Sequence, residues 1–256
     1  MAETETDMPR PFDVLAALGL LTRLPVRVDP ARAEARGGRA AWAWPLAGLL
    51  VGLASGLAGG LALWLGLGPG IAALIVLGAG AALTGAMHED GLADSMDGLW
   101  GGWTRERRLA IMKDSQIGAF GVVVLIVTFG LRWQALAALA ALLPLWAVAA
   151  GIGLLSRVPM VALMTLLPHA RETGLSARVG APPPFTAGLA ALVGLGLALP
   201  FLGLAVIPVA LVIGIAATIW AMIARARIGG QTGDILGAAQ QWAEVAGLLG
   251  LLAFVA

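Results

Sequence analysis

Residues Ala41 to Gly66 carry no charged side chain, and uncharged runs return at Gly70 to Met87, Phe120 to Leu131, Phe185 to Leu202 and Leu204 to Ala224. Glu244 is the only charge between Gly237 and Ala256. A helix needs about 20 predominantly apolar residues to cross a hydrocarbon core. A soluble domain is about a quarter charged, whereas this chain is 12% charged and 59% hydrophobic, with a mean hydropathy of +0.91. Backbone inside a bilayer must satisfy its own hydrogen bonds, which leaves helices for runs of this length. The expected fold is therefore all-α: a polytopic integral membrane helical bundle of about seven transmembrane helices, forming a single domain over residues 1–256.

The N-terminus, MAETETDMPRPFD, lacks the positive region followed by an apolar core that marks a cleaved signal. Residues 1–40 are expected to stay on the protein, on the cytoplasmic side. Phe12 to Leu21 is too short to span, and Pro25 follows it, so it reads as a short interfacial or re-entrant helix. Arg27, Arg32, Arg36 and Arg39 form a basic loop that places this side in the cytoplasm. Trp42 and Trp44 read as interface anchors of the first span, and Arg132 with Trp133 as an interface cap of the third. Gly48, Gly52, Gly56, Gly59 and Gly60 recur at near-helical spacing and predict close helix contact. Gln134 to Pro168 is long for one upright helix and short for two. Pro144, Gly151 and Gly153 would allow a bend, and Arg157 interrupts the run. A single crossing there keeps the loops at 88–118, 169–184 and 225–236 on the cytoplasmic side with nearly all the Arg and Lys.

Six of the fifteen acidic residues fall between Met87 and Gly121. Glu89, Asp90, Asp94 and Asp97 crowd into nine positions at the end of an apolar run. Ionisable groups there are costly unless they face water, a cation or a partner. Asp90, Asp94 and Asp97 follow at spacings of four and three, which on a helix shares one face. Hard oxygen donors suit Mg²⁺, with Mn²⁺ as the alternative. Mg²⁺ also ligates phosphate oxygens, so a phosphorylated substrate is expected. Arg105, Arg107, Arg108 and Lys113, the one lysine of the chain, offer charge to such phosphates. Asp114 reads either as a further ligand or as a partner of Arg108 or Lys113. His88 reads as a base, a ligand or an interface residue. A second polar phrase, Gly229-Gly230-Gln231-Thr232-Gly233-Asp234, pairs a glycine turn able to hold phosphate (Gly230, Thr232, Gly233) with a carboxylate, Asp234. There is no cysteine, which excludes thiolate metal sites and disulfides. No basic tract points to nucleic acid.

The combination of His-Glu-Asp-Gly-Leu-Ala-Asp-x-x-Asp-Gly from His88, Ile-Met-Lys-Asp-Ser-x-Ile-Gly-Ala-Phe-Gly from Ile111 and Gly-Gly-x-Thr-Gly-Asp from Gly229 resembles cobalamin synthase, the CobS-type adenosylcobinamide-GDP ribazoletransferases. Leu21-Thr22-Arg23-Leu24-Pro25-Val26 also resembles that family's N-terminal phrase, so the likeness runs across nearly the whole chain. One departure is Gln116, where the family pattern leads one to expect a basic residue after Asp-Ser. The resemblance implies Mg²⁺-dependent transfer of the adenosylcobinamide-phosphoryl group from adenosylcobinamide-GDP to the 3′-hydroxyl of α-ribazole or its 5′-phosphate, with loss of GMP. It adds Arg23 and Ser115 to the phosphate-binding set. It implies metal ligation by Glu89, Asp90, Asp94, Asp97, Asp114 and Asp234, and proton transfer by Asp94, Asp97 or His88. It further implies a multi-pass protein of the cytoplasmic (inner) membrane with its active-site loops inside. An apolar groove near Trp100 and Trp103 is a candidate seat for the corrin ring. Glycine-lined helix faces would also serve a homo-oligomer. Two competitors stand beside this reading. A CDP-alcohol-type phospholipid synthase is disfavoured because Gly98-Leu99-Trp100-Gly101-Gly102 lacks its Ala-Arg pair. A divalent-cation transporter would carry its site near mid-membrane.

Overall fold

The structure, a computed structural model, describes residues 8–114 and 116–255. The described chain is all-α, and its one β-type contact is an isolated bridge between His169 and Gln231. The N-terminal helix α1, Pro11–Leu21, starts with proline at its first position, where a missing N–H costs nothing. The short α2, Pro30–Arg36, is capped by Asp29, whose carboxylate accepts the amides of Ala31 and Arg32. Asp13, fully buried in α1, joins these pieces. It accepts from Arg36 Nε and Nη2 at 2.7 Å each, from Trp42 Nε1 at 2.8 Å and from the Arg10 amide at 2.9 Å. Burial alone would raise its pKa, but the hydrogen bonds from Arg36, Trp42 and Arg10 outweigh that and hold it below the ordinary carboxylate value. Trp42 is thus a donor to Asp13, and Trp44 is buried at 4% exposure. Trp44 is therefore not an interface anchor at the surface, while half-buried Trp42 is held in this clasp.

After a 3₁₀ turn at Gly37–Ala43 the chain enters α3, Trp44–Trp64. Its glycines face α8, Leu145–Leu166, the central helix of the molecule. A Cβ at Gly48 would lie 2.0 Å from Gly153 O, one at Gly52 2.1 Å from Ala149 O, and one at Gly56 2.5 Å from Trp146 Cα. Backbones this close admit only glycine. Gly59 meets Val76 of α4, Pro69–Thr84, while Gly60 faces open space. The expected seam therefore exists for four of the five glycines. Pro144 separates α8 from α7, Ala119–Leu139, so residues 134–139 complete the earlier helix and α8 continues unbroken through Pro159 and Arg157.

The run Pro184–Ile228 is apolar over 45 residues, longer as one straight helix than any bilayer is thick. It folds back on itself. Leu202, at the end of α10 (Pro184–Leu202), packs on Gly151, and Gly194 packs on Val158, so α10 runs antiparallel to α8. After a 3₁₀ turn at Gly203–Ala205, α11 (Val206–Ile228) returns on the other side of α8, bringing Ile213 beside Ile152 and Arg225 beside Leu166. The last helix is α12, Gly233–Val255. Five stretches are long and apolar enough to cross a membrane, and a sixth is counted if the bent pair described next is one span.

That pair positions the site. α4 ends at Gly85, with φ +66°, and Ala86 follows at φ +55°, the one described non-glycine residue in left-handed conformation. The two residues turn the chain by 88° into α5, Met87–Gly101. A short α6, Arg105–Ile111, then leads towards α7, and α9, Leu175–Val179, lies in the loop after α8.

Candidate active site

The two faces of α5 enter different surroundings. Gly91 and Gly237 form a close crossing with α12: a Cβ on Gly91 would lie 3.0 Å from Asp234 O, and one on Gly237 3.4 Å from His88 Cα. This approach sets Asp234, in the first turn of α12, beside the carboxylates of α5. Asp90 is exposed and Asp94 half-buried, and Asp94 lies in the repulsive field of Asp90, Asp234 and Asp97, offset in part by Arg171. Arg171 Nη2 donates to Asp234 Oδ2 at 2.7 Å, and Thr232 Oγ1 donates to the same oxygen at 3.2 Å. The other terminal nitrogen of Arg171 is buried without a protein partner. A cavity of about 150 Å³ opens here, with Asp90, Asp234 and Arg171 on its polar side and Leu20, Trp44, Met160 and Met164 on its apolar side.

Asp97 performs a different task. Its Oδ2 accepts the Gly118 amide at 2.7 Å and its Oδ1 the Gly121 amide at 2.9 Å, which caps the N-terminus of α7. A Cβ on Gly118 or Gly121 would lie 2.5 Å from that carboxylate. The glycines of Ile117-Gly118-Ala119-Phe120-Gly121 are therefore the other half of Asp97. Glu89 points away from Asp90 and Asp94 into a buried polar cavity. There its Oε1 accepts from Gln241 Nε2 at 3.1 Å and lies 3.6 Å from Arg132 Nη1, which is also 3.8 Å from Glu244. Arg157, Gln240 and His88 also line it. Arg132 is 2% exposed, so it is an interior ion-pair partner and not an interface cap. Buried His88 lines both this cavity and the open one.

The basic residues read as phosphate ligands are mostly committed to the fold. Arg105 donates to Ile228 O and Ala170 O, and Arg108 to Gly102 O and Arg227 O, tying α6 to the carbonyl end of α11. Cations favour that end of a helix. Lys113 is exposed, with Nζ 3.4 Å from Thr173 Oγ1. Exposed Asp114 accepts the Gln116 amide. Arg23 lies against Gly85 at the bend, and Ser115 lies outside the described residues. Trp100 sits under Arg227, and Trp103 is 94% exposed. In the glycine phrase, Gly229 ends α11 at φ +79°, and a Cβ on Gly230 would lie 2.0 Å from Pro168 O. Gln231 pairs with residues 168–170 through its backbone and through His169 Nδ1 at 2.8 Å. Thr232 accepts the Ile235 amide and so caps α12. The phrase is a lock that presents Asp234, with Gly233 in open space.

Sequence reasoning passed over Arg171 as a site residue, along with Arg132, Arg157, Gln240, Gln241 and Glu244. Arg132 and Arg157 carry a readable signal, a charge inside an apolar run. Arg171 carries none, since its partner is 63 positions away. Among the described residues no three His, Asp or Glu side chains already converge as a metal cage. Mg²⁺ is usually held by one or two carboxylates together with waters and substrate phosphates. Asp90, Asp94 and Asp234, hard donors that repel one another, fit that mode.

A bundle of apolar helices that gathers carboxylates and one arginine around a cavity at one end defines a helical membrane protein with a polar reaction site. The chain belongs to the CobS family: the family model described as cobalamin-5-phosphate synthase matches residues 13–252. It is 48% identical over 254 residues to an adenosylcobinamide-GDP ribazoletransferase of Bradyrhizobium diazoefficiens, covering 98% of this chain and 97% of that one. It is 42% identical over 254 residues to the enzyme of the same name from a Sinorhizobium species, covering 94% and 95%. The Rhizobium meliloti enzyme is 41% identical over the same span, again covering 94% and 95%. No solved structure matches it.

Proposed function

We propose that the chain transfers the adenosylcobinamide-phosphoryl group from adenosylcobinamide-GDP to α-ribazole or its 5′-phosphate, at the site formed by Asp90, Asp94, Asp234 and Arg171. The observation that carries this reading is the meeting of α5, the start of α12 and the 169–174 loop at one cavity mouth, with carboxylates in excess over cationic charge. The 3′-hydroxyl oxygen of the acceptor forms a bond to the cobinamide-linked phosphorus as the bond from that phosphorus to GMP breaks. Phosphoryl transfer needs positioning and charge neutralisation more than covalent chemistry. Asp90 and Asp234 would hold Mg²⁺, which supplies charge neutralisation to the diphosphate oxygens when bound. Arg171 offers its unpartnered N–H to a phosphate oxygen. Asp94 takes the hydroxyl proton, because both oxygens of Asp97 already accept amides. His88, buried behind Asp90, supports the helix turn that carries these acids.

We further propose seven crossings: α3, the bent pair α4 and α5 as one, α7, α8, α10, α11 and α12. Arg105, Arg107, Arg108, Lys113, Arg171, Arg178, Arg225 and Arg227 then share the cytoplasmic side with the acidic site, as the positive-inside rule expects. The test uses protein in nanodiscs with adenosylcobinamide-GDP, α-ribazole and Mg²⁺, following GMP and corrinoid products by chromatography. Metal-dependent GMP release matched by a cobalamin product, and lost in a folded Asp94→Asn variant, is the expected result. An intact preparation with no turnover but with metal flux in liposomes would overturn it in favour of a transporter.

A further inference from the structure

Resting on that reading, we propose that the cavity beside Asp90, Asp234 and Arg171 takes the fused aromatic base of the ribazole acceptor, so that its ribose hydroxyl is delivered to the carboxylates. Size decides first. A cavity needs roughly 10–15 Å³ to hold one water, so one of about 150 Å³ admits roughly ten to fifteen heavy atoms. A benzimidazole fits that space, and a corrin macrocycle with its side chains does not.

Polarity decides next. Apart from its charged lip and the polar side chains His88 and Ser176, the wall is largely apolar, with Trp44, Met87, Met160 and Met164 among its members. Guanine, carried by GDP, and adenine, carried by the adenosyl group, each present several exocyclic and ring groups, more than His88 and Ser176 on this wall can pair, whereas a benzimidazole riboside presents one free ring nitrogen. A buried unpaired polar group costs about 1–3 kcal/mol. Benzimidazole has no exocyclic polar group. Thioethers and an indole make favourable contacts with an aromatic ring and accommodate its outline. Of the ring systems in the two substrates, this one alone matches the space in both size and polarity.

Continuity supplies the third argument. The cavity's polar lip carries Asp90, Asp234 and Arg171 of the acidic site, so a base seated among Met160, Met164 and Trp44 leaves its sugar between these two acids and the unpartnered nitrogen of Arg171. The donor then approaches from the open side, where Asp90 is exposed.

The experiment fills the cavity. Met164→Trp and Met160→Trp are assayed in nanodiscs with both substrates varied. Leu195→Trp, in the apolar groove on the far side of α8, controls for an added indole. The expected result is a rise in KM for α-ribazole of roughly tenfold or more, with KM for adenosylcobinamide-GDP unchanged and Leu195→Trp like the wild type. A rise confined to the corrinoid KM, or no change in either, overturns the assignment. If the tryptophan variants do not fold, free 5,6-dimethylbenzimidazole is tested as an inhibitor of the wild type. Competition with α-ribazole supports the cavity, and competition with the corrinoid or no inhibition refutes it. If the wild type does not turn over, the reaction reading has failed by itself, and calorimetric titration of the same free base into the wild type decides the cavity alone.

Discussion

Glu89 and Asp90 are neighbours in the chain and opposites in the structure. Successive helical residues point about 100° apart, and here that angle separates two kinds of acid. Glu89 is buried with a cation and a donor from the protein at its Oε1, Gln241 at 3.1 Å and Arg132 at 3.6 Å, with Glu244 sharing the guanidinium, while its Oε2 has no partner. Asp90 is exposed and faces other carboxylates, with Arg171 already paired to Asp234. A fold that compensates one acid and leaves its neighbour to repel two more has a use for the uncompensated set. Compensated acids hold helices together; uncompensated ones leave a seat for a cation and a phosphorylated substrate.

The sharpest break of this comparison is to neutralise each kind in turn. Asp94→Asn and Asp234→Asn are expected to lower turnover by about a thousandfold or more, the scale of losing transition-state charge stabilisation, with thermal unfolding of Asp94→Asn in detergent no earlier than in the wild type. Early unfolding of Asp94→Asn would place that acid in the framework. Arg132→Met should do the reverse, leaving Glu89 and Glu244 buried without a cation. Breaking a buried pair from one side costs about 3–5 kcal/mol, read as a lowered Tm, and Glu89→Gln in the same chain should recover part of it. If Arg132→Met instead kept its stability and lost only activity, the buried cluster would belong to the reaction.

The helices were legible because span length and apolarity are local properties. Pro11 and Pro69 sit at the first turns of α1 and α4, and the glycine seam of α3 could be named from spacing, whereas α2 and the 3₁₀ turn after it lie in a stretch that reads as a basic loop. The acidic stretch was legible as a site because four carboxylates in nine positions demand compensation. Which side chain meets which partner was not legible. Glu89 and Asp90 differ only in where α12 and α7 happen to pack. Arg105 and Arg108 look like phosphate ligands in sequence, and only the arrival of Ile228 O and Arg227 O shows their use as ties. The hairpin within 184–228 was legible from the break at Pro200 and Gly203, whereas the end of α7 at Leu139 depended on long-range packing.

Asp97 sharpens the comparison at lower cost. It lies on the helix that carries Asp90 and Asp94, yet it is compensated by the amides of Gly118 and Gly121. Asp97→Asn keeps one acceptor oxygen and turns an NH₂ group on the second amide. The expected loss is about 1–2 kcal/mol, the scale of a lost helix cap. Gly118→Ala, whose Cβ would lie 2.5 Å from Asp97 Oδ1, disturbs the same contact. The two changes should therefore combine to less than their sum in a double-mutant cycle. Full additivity would mean that the glycines serve something other than Asp97.

Asp13 gives the most local effect and the cleanest sign. Burial works against its charge, but Arg36, Trp42 and the Arg10 amide overcome that and lower its pKa below the ordinary carboxylate value. A carboxylate whose folded pKa is depressed contributes stability that is fully present above its unfolded pKa and is lost as pH falls through its folded one. The clasp between α1 and α2 should accordingly hold throughout the neutral and mildly acidic range and loosen only below about pH 4. Amide exchange of residues 11–21, followed from pH 7 downward against Asp13→Asn, checks this. The variant should exchange faster at pH 7 and converge with the wild type at low pH. A difference that grew on acidification would mean that Asp13 is held by its neutral form, contrary to the three donors around it.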